Sequence, residues 1–90
     1  MEKKMIKLLI LLNNQILISQ IEEVGADIGE PDCKLIEPFI VDQSTSSQIL
    51  SPWMIDYTTQ NIFMINSEKI LTLADPKPTL LEKYQNLINK

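Results

Sequence analysis

Apolar and polar positions alternate in short blocks along most of this chain, and the spacing becomes helical only near its end. Residues 5–12 form an apolar run of strand length, which Asn13-Asn14 interrupts. Asparagine tolerates the positive φ of tight turns, so the pattern predicts a hairpin with strands over 6–12 and 15–24. In the second strand Leu17, Ser19 and Ile21 share one face, while Ile16, Ile18 and Gln20 share the other. Both faces start apolar, as expected for a strand covered on both sides.

Residues 25–32 read as a loop, because they hold both glycines, Pro31 and the acids Asp27, Glu30 and Asp32. Residues 33–42 read as a third strand, with Pro38 marking an edge, a bulge or a bend inside it. Residues 43–51 are rich in Ser and predict a loop. Pro52 opens a long strand region to Ile65, with Trp53, Ile55 and Tyr57 on one face and a softening at residues 58–61. Asn66-Ser67-Glu68 reads as a polar turn before a last strand over 69–73. Thr79 and Glu82 then have capping-box spacing, and Leu80, Leu81, Tyr84, Leu87 and Ile88 line one helical face. A C-terminal amphipathic helix over about 79–89 is predicted, packed on the sheet or on a neighbour.

Composition narrows the function classes. Ninety residues make one domain, 1–90, and 44% hydrophobic content with a net charge of −4 predicts a folded chain. A core this small gains from association. The chain has no His and no Arg; all 8 basic residues are Lys. The usual general base and the bidentate phosphate fork are therefore missing. The acidic balance argues against a broad grip on nucleic acid while leaving room for a local site. The single Cys33 cannot form an intramolecular disulfide and reads as a buried small hydrophobe in a reducing compartment. Lys3, Lys4 and Lys7 precede an apolar run, but the run ends at Asn13 with no small-residue cleavage site after it. No segment nears the roughly 20 apolar residues of a membrane span, so a cytoplasmic protein is expected.

Candidate chemistry is sparse. Glu22 and Glu23 point to opposite faces of a strand, and the acids at 27, 30 and 32 miss the spacing of a calcium loop. Trp53 and Tyr57 suit base stacking, yet their period-two spacing in an apolar strand fits core or interface better. With no nucleophile–base pair and no phosphate-binding loop, no enzyme, cofactor or metal is expected.

Five short strands joined mostly by hairpins suggest a small bent sheet curling toward a barrel. Two segments then match the halves of a known motif. Asn13-Asn14 precedes Leu17, Ser19 and Ile21 at two-residue steps, with the small Ser19 where a bent strand has little room. Ile65, Asn66-Ser67, Glu68, Ile70 and Leu73 supply the second half. Over residues 5–75 the chain resembles the Sm-like family, and within it the phage-type Sm-like proteins of marine cyanobacterial viruses. The chain departs from the family in two places: the Arg-Gly pair is here Asn66-Ser67, and the family's helix before the first strand is missing, the predicted helix being at the C-terminus instead.

The resemblance implies a five-stranded, strongly bent antiparallel open barrel (SH3-like) that closes a homo-oligomeric ring through its edge strands. It also implies that single-stranded, U- or A-rich RNA sits at the ring pore. By position, the RNA-binding candidates are Asp32 and Lys34 from the third loop, and Asn66, Ser67 and Lys69 from the fifth. An Asn amide suits a base edge, and Lys suits phosphate. The alternative is a structural or protein-interaction ring without nucleic acid, offering the C-terminal helix to a protein partner.

Overall fold

The structure, a computed structural model, describes residues 5–42 and 49–89. The strands are β1 (Met5–Leu11), β2 (Ile16–Glu23), β3 (Cys33–Asp42), β4 (Ile49–Pro52), β5 (Ile62–Ile65) and β6 (Ile70–Ala74). A 3-10 turn (Ser67–Lys69) precedes β6, and the helix α1 (Pro78–Ile88) ends the chain. The fold is mostly β with one C-terminal helix, as the pattern predicts. Its strands form one antiparallel sheet in the order β4-β3-β2-β1-β6, with β5 also on β3, and the sheet does not close on itself.

The first hairpin forms as the sequence requires. Leu11 N–H donates to the Gln15 carbonyl at 3.0 Å, and Asn14 N–H donates to the Leu11 carbonyl at 2.9 Å. This leaves a three-residue loop whose last member, Asn14, sits at φ 68°. Such a loop needs one left-handed residue, and Asn accepts that conformation better than most residues do.

The predicted long strand from Pro52 to Ile65 is not one strand. It is two pieces, β4 and β5, which pair with the two halves of β3: Phe39 faces Pro52, and Ile36 faces Ile62. Between them residues 53–61 leave the sheet, so the alternation of Trp53, Ile55 and Tyr57 is a coincidence of turn composition. The cause lies in β3. Ile18 pairs with Phe39 and Gln20 with Ile36, so Ser19 alone stands opposite Glu37 and Pro38. Glu37 adopts φ 52°, which breaks the ladder. Across this bulge Glu37 N–H donates to the Asn61 carbonyl at 2.7 Å, and Trp53 N–H donates to the Pro38 carbonyl at 2.9 Å. These two bonds close the neck of the excursion. The loop predicted over 43–51 gives way to strand earlier than expected, since β4 begins at Ile49; residues 43–48 lie outside the described residues.

Two apolar clusters cover the two faces of the sheet. Leu9, Leu11, Leu17, Ile21, Cys33 and Leu35 fill one, with Trp53, Ile65 and Ile70 against them. Ile18, Val41, Leu80 and Tyr84 form the other, where α1 lies on the sheet. Each large aliphatic side chain buried here contributes about 1.5–3 kcal/mol. Ser19 is fully buried, and its hydroxyl lies 2.8 Å from the Gln20 carbonyl and 3.2 Å from that of Ile36. A small polar residue at the bend thus fits the space and meets a carbonyl that the bulge has released.

The helix begins earlier than the capping-box spacing predicts. Lys77 is the N-cap residue, with no side-chain cap, and Pro78 is inside the first turn, so Thr79 is already helical. Proline fixes its predecessor in extended backbone, and its own missing N–H is no loss in the first turn. These effects set the boundary, and the Thr79–Glu82 box is not used. Leu80 and Tyr84 are buried as predicted, whereas Leu87 on the same predicted face is exposed.

Candidate functional site

Asp32, the last residue before β3, meets the 3-10 turn that precedes β6. Ser67 N–H donates to Asp32 Oδ1 at 2.7 Å, and Ser67 Oγ donates to Asp32 Oδ2 at 2.7 Å. Both carboxylate oxygens are engaged by one residue 35 positions away. The backbone bond from Ser67, then its hydroxyl bond, hold the Asp32 carboxyl below the usual Asp value. Asn66 is committed too: its Oδ1 accepts Glu68 N–H at 2.9 Å and caps the turn. Lys69 N–H returns to the Asn66 carbonyl at 2.9 Å, and the Lys69 carbonyl accepts Leu12 N–H at 3.0 Å. The turn is therefore tied to β1 as well as to the loop before β3.

A shallow cleft of about 270 Å³ lies beside this clamp. Asp32, Asn66 and Ser67 line it, together with Asp27, Glu30 and Glu68. Three of the five residues that the sequence nominates are thus brought together. Lys34 and Lys69 are not in the lining. Lys34 Nζ instead lies 3.6 Å from Glu22 on the neighbouring strand, directly across the β2–β3 ladder. The cleft is acidic, which opposes a bound phosphate. Cys33 beside it is buried, as predicted, and burial followed by the charges of Asp32 and Glu23 pushes its thiol up. A raised thiol is a poor nucleophile.

A larger cavity, about 370 Å³, opens at the neck of the 53–61 excursion. Sequence alternation places Trp53 and Tyr57 on one face of a strand, but the structure puts both in the excursion, with unequal burial. Trp53 is half-buried with its ring 5.3 Å from that of Phe63 at 65°, and Tyr57 is 83% exposed. The signals for this cavity in the sequence are Pro38 inside a strand and Pro52 before an aromatic residue.

An open antiparallel sheet, bent at a bulge and covered on one face by a C-terminal helix, makes this a small β protein of the helix-on-sheet kind. The chain belongs to a family of unknown function (DUF6561), whose model matches residues 4–89. No curated protein matches it.

Proposed function

We propose that this chain is a self-assembling Sm-like subunit that closes a homo-oligomeric ring through the two edges of its sheet. One observation carries the reading. Among the described residues, the edges made by β4/β5 and by β6 have no neighbour, and each displays apolar side chains. Ile62 and Met64 on β5 are 46% and 48% exposed, and Leu71 and Leu73 on β6 are 57% and 50% exposed. Unpaired edges with apolar residues either aggregate or serve assembly. Because the two edges differ, pairing one with the other is head-to-tail, and such contacts close rings when the rotation allows.

Two cargoes fit such a ring. Single-stranded RNA at the pore would meet Asn66 and Ser67 from every copy, with Lys69 close behind. A scaffold or protein-interaction ring needs none of these contacts. The acidic cleft and the Lys34–Glu22 pair favour the scaffold. Native mass measurement tests the assembly: a defined oligomer is expected, and a strict monomer at high micromolar concentration overturns it. Fluorescence titration with oligo-U and oligo-A separates the cargoes. Salt-dependent binding lost in Asn66→Ala with Lys69→Ala supports RNA, and no retention at low salt supports the scaffold.

A further inference from the structure

We propose that the cavity at the excursion neck binds a small organic cation, an alkylated ammonium head on a short stem. Trp53 and Phe63, whose ring centroids lie 5.3 Å apart, line it together with Pro38 and Pro52; Phe39 borders it too, with its ring packed on Tyr84. Glu37 is the single ionisable residue in the lining among the described residues. Ring faces attract cations through their quadrupole, and a carboxylate attracts them by charge. Both repel phosphate, so a nucleotide is a poor occupant. The volume, about 370 Å³, sits at the small end of ligand cavities and suits one head group and its stem.

The cavity is built rather than incidental. Its walls belong to two different strand ends and a nine-residue excursion, held shut by the Glu37–Asn61 and Trp53–Pro38 backbone bonds. Gln60 adds a brace: its side-chain amide donates to the Ile62 carbonyl, and its N–H donates to Thr58 Oγ1 at 3.1 Å. Glu37 itself is fixed at φ 52° by the bulge and by the bond from Tyr84. The backbone of the residue that bears the charge is therefore set by the same defect that creates the cavity. This site is separate from the acidic cleft, and its walls include Pro52 of β4 and Phe63 of β5, the strands of one proposed ring edge.

Trp53 is the chain's one tryptophan, so its fluorescence reports occupancy directly. The full chain is titrated with choline and with 3,3-dimethylbutan-1-ol, its uncharged isostere. Choline is expected to change the emission saturably, with the isostere weaker by about tenfold or more. Glu37→Gln should weaken choline by a similar factor while the thermal midpoint stays near that of the parent. Equal binding of the charged and neutral probes overturns the proposal, as does no saturable change with choline at tens of millimolar. That comparison uses the parent protein and survives any folding defect in the variant. A short peptide carrying trimethyllysine then separates the sources of this head group. Tighter binding than choline assigns a modified protein partner, and weaker binding assigns a free small molecule.

Discussion

The hydroxyl of Tyr84 donates to the Glu37 carbonyl at 2.8 Å, joining the C-terminal helix to the bulge in β3. The same oxygen accepts Gln20 N–H at 3.2 Å and lies 3.2 Å from the Ile36 carbonyl. These backbone groups flank the bulge in the β2–β3 ladder; Gln20 and Ile36 are buried and Glu37 is partly buried. One side chain from a distant element meets them, while its ring packs edge-on against Phe39 at 5.7 Å.

Tyr84→Phe keeps the ring and removes the bonds. Buried donors and acceptors left alone cost about 1–3 kcal/mol each. Urea unfolding should show a loss of about 1–3 kcal/mol with an unchanged slope. A loss below about 0.5 kcal/mol would mean that water replaces the hydroxyl.

Burial is the main reason that Tyr84 releases its proton above the usual tyrosine value. A folded value above the unfolded one gives stability that is fully present below the unfolded value, about 10. That stability is lost as pH rises through the folded value. Thermal midpoints measured from pH 8 to 11 should fall above about pH 10, and Tyr84→Phe should flatten that limb.

For Asp32 the sign is opposite. Its folded value lies below the unfolded one, so the Ser67 clamp contributes fully above the ordinary Asp value of about 3.9. The contribution disappears as pH falls through the lower folded value. Asp32→Asn should therefore lower the thermal midpoint at neutral pH, and the gap to the parent should close in acid. A gap independent of pH would assign the loss to something other than the charge.

The β6 edge offers a direct test of assembly. Leu71→Lys with Leu73→Lys changes two side chains that are half exposed in the isolated fold, Leu73 standing opposite Leu9 across the β1–β6 pair. Charged residues on an edge oppose pairing. The variant should stay folded by circular dichroism and shift to monomer by light scattering. An unchanged mass would remove β6 from the interface.

Cys33 supplies a simple probe of the core it shares with Leu9, Leu17 and Leu35. Its buried, raised thiol should react with iodoacetamide at neutral pH far more slowly in the native protein than in urea. Equal rates would mean that the β3–β5 pairing opens readily.

Much of this protein is legible in its sequence because the information is local. Asn13-Asn14 specifies the first hairpin, since few residues tolerate φ near 68° as asparagine does. The apolar run before that turn gives β1, period-two alternation gives β2, and period 3.6 gives α1 with Leu80 and Tyr84 inward. Asp32, Asn66 and Ser67 emerge from motif positions and do meet.

The rest depended on partners distant in the chain. The alternation of Trp53, Ile55 and Tyr57 carries no mark showing that it leaves the sheet; only the Glu37 bulge on β3 decides that. Lys34 reads as a free cation until the β2–β3 register sets it against Glu22. The helix start turned on the backbone preferences around Pro78, which outweighed the Thr79 spacing. Sequence periodicity thus determined which segments are strands or helix and which faces are apolar. Tertiary structure decided where the ladder breaks, which buried groups Tyr84 meets there, and what cavity the break leaves, because those depend on register between segments far apart in the chain.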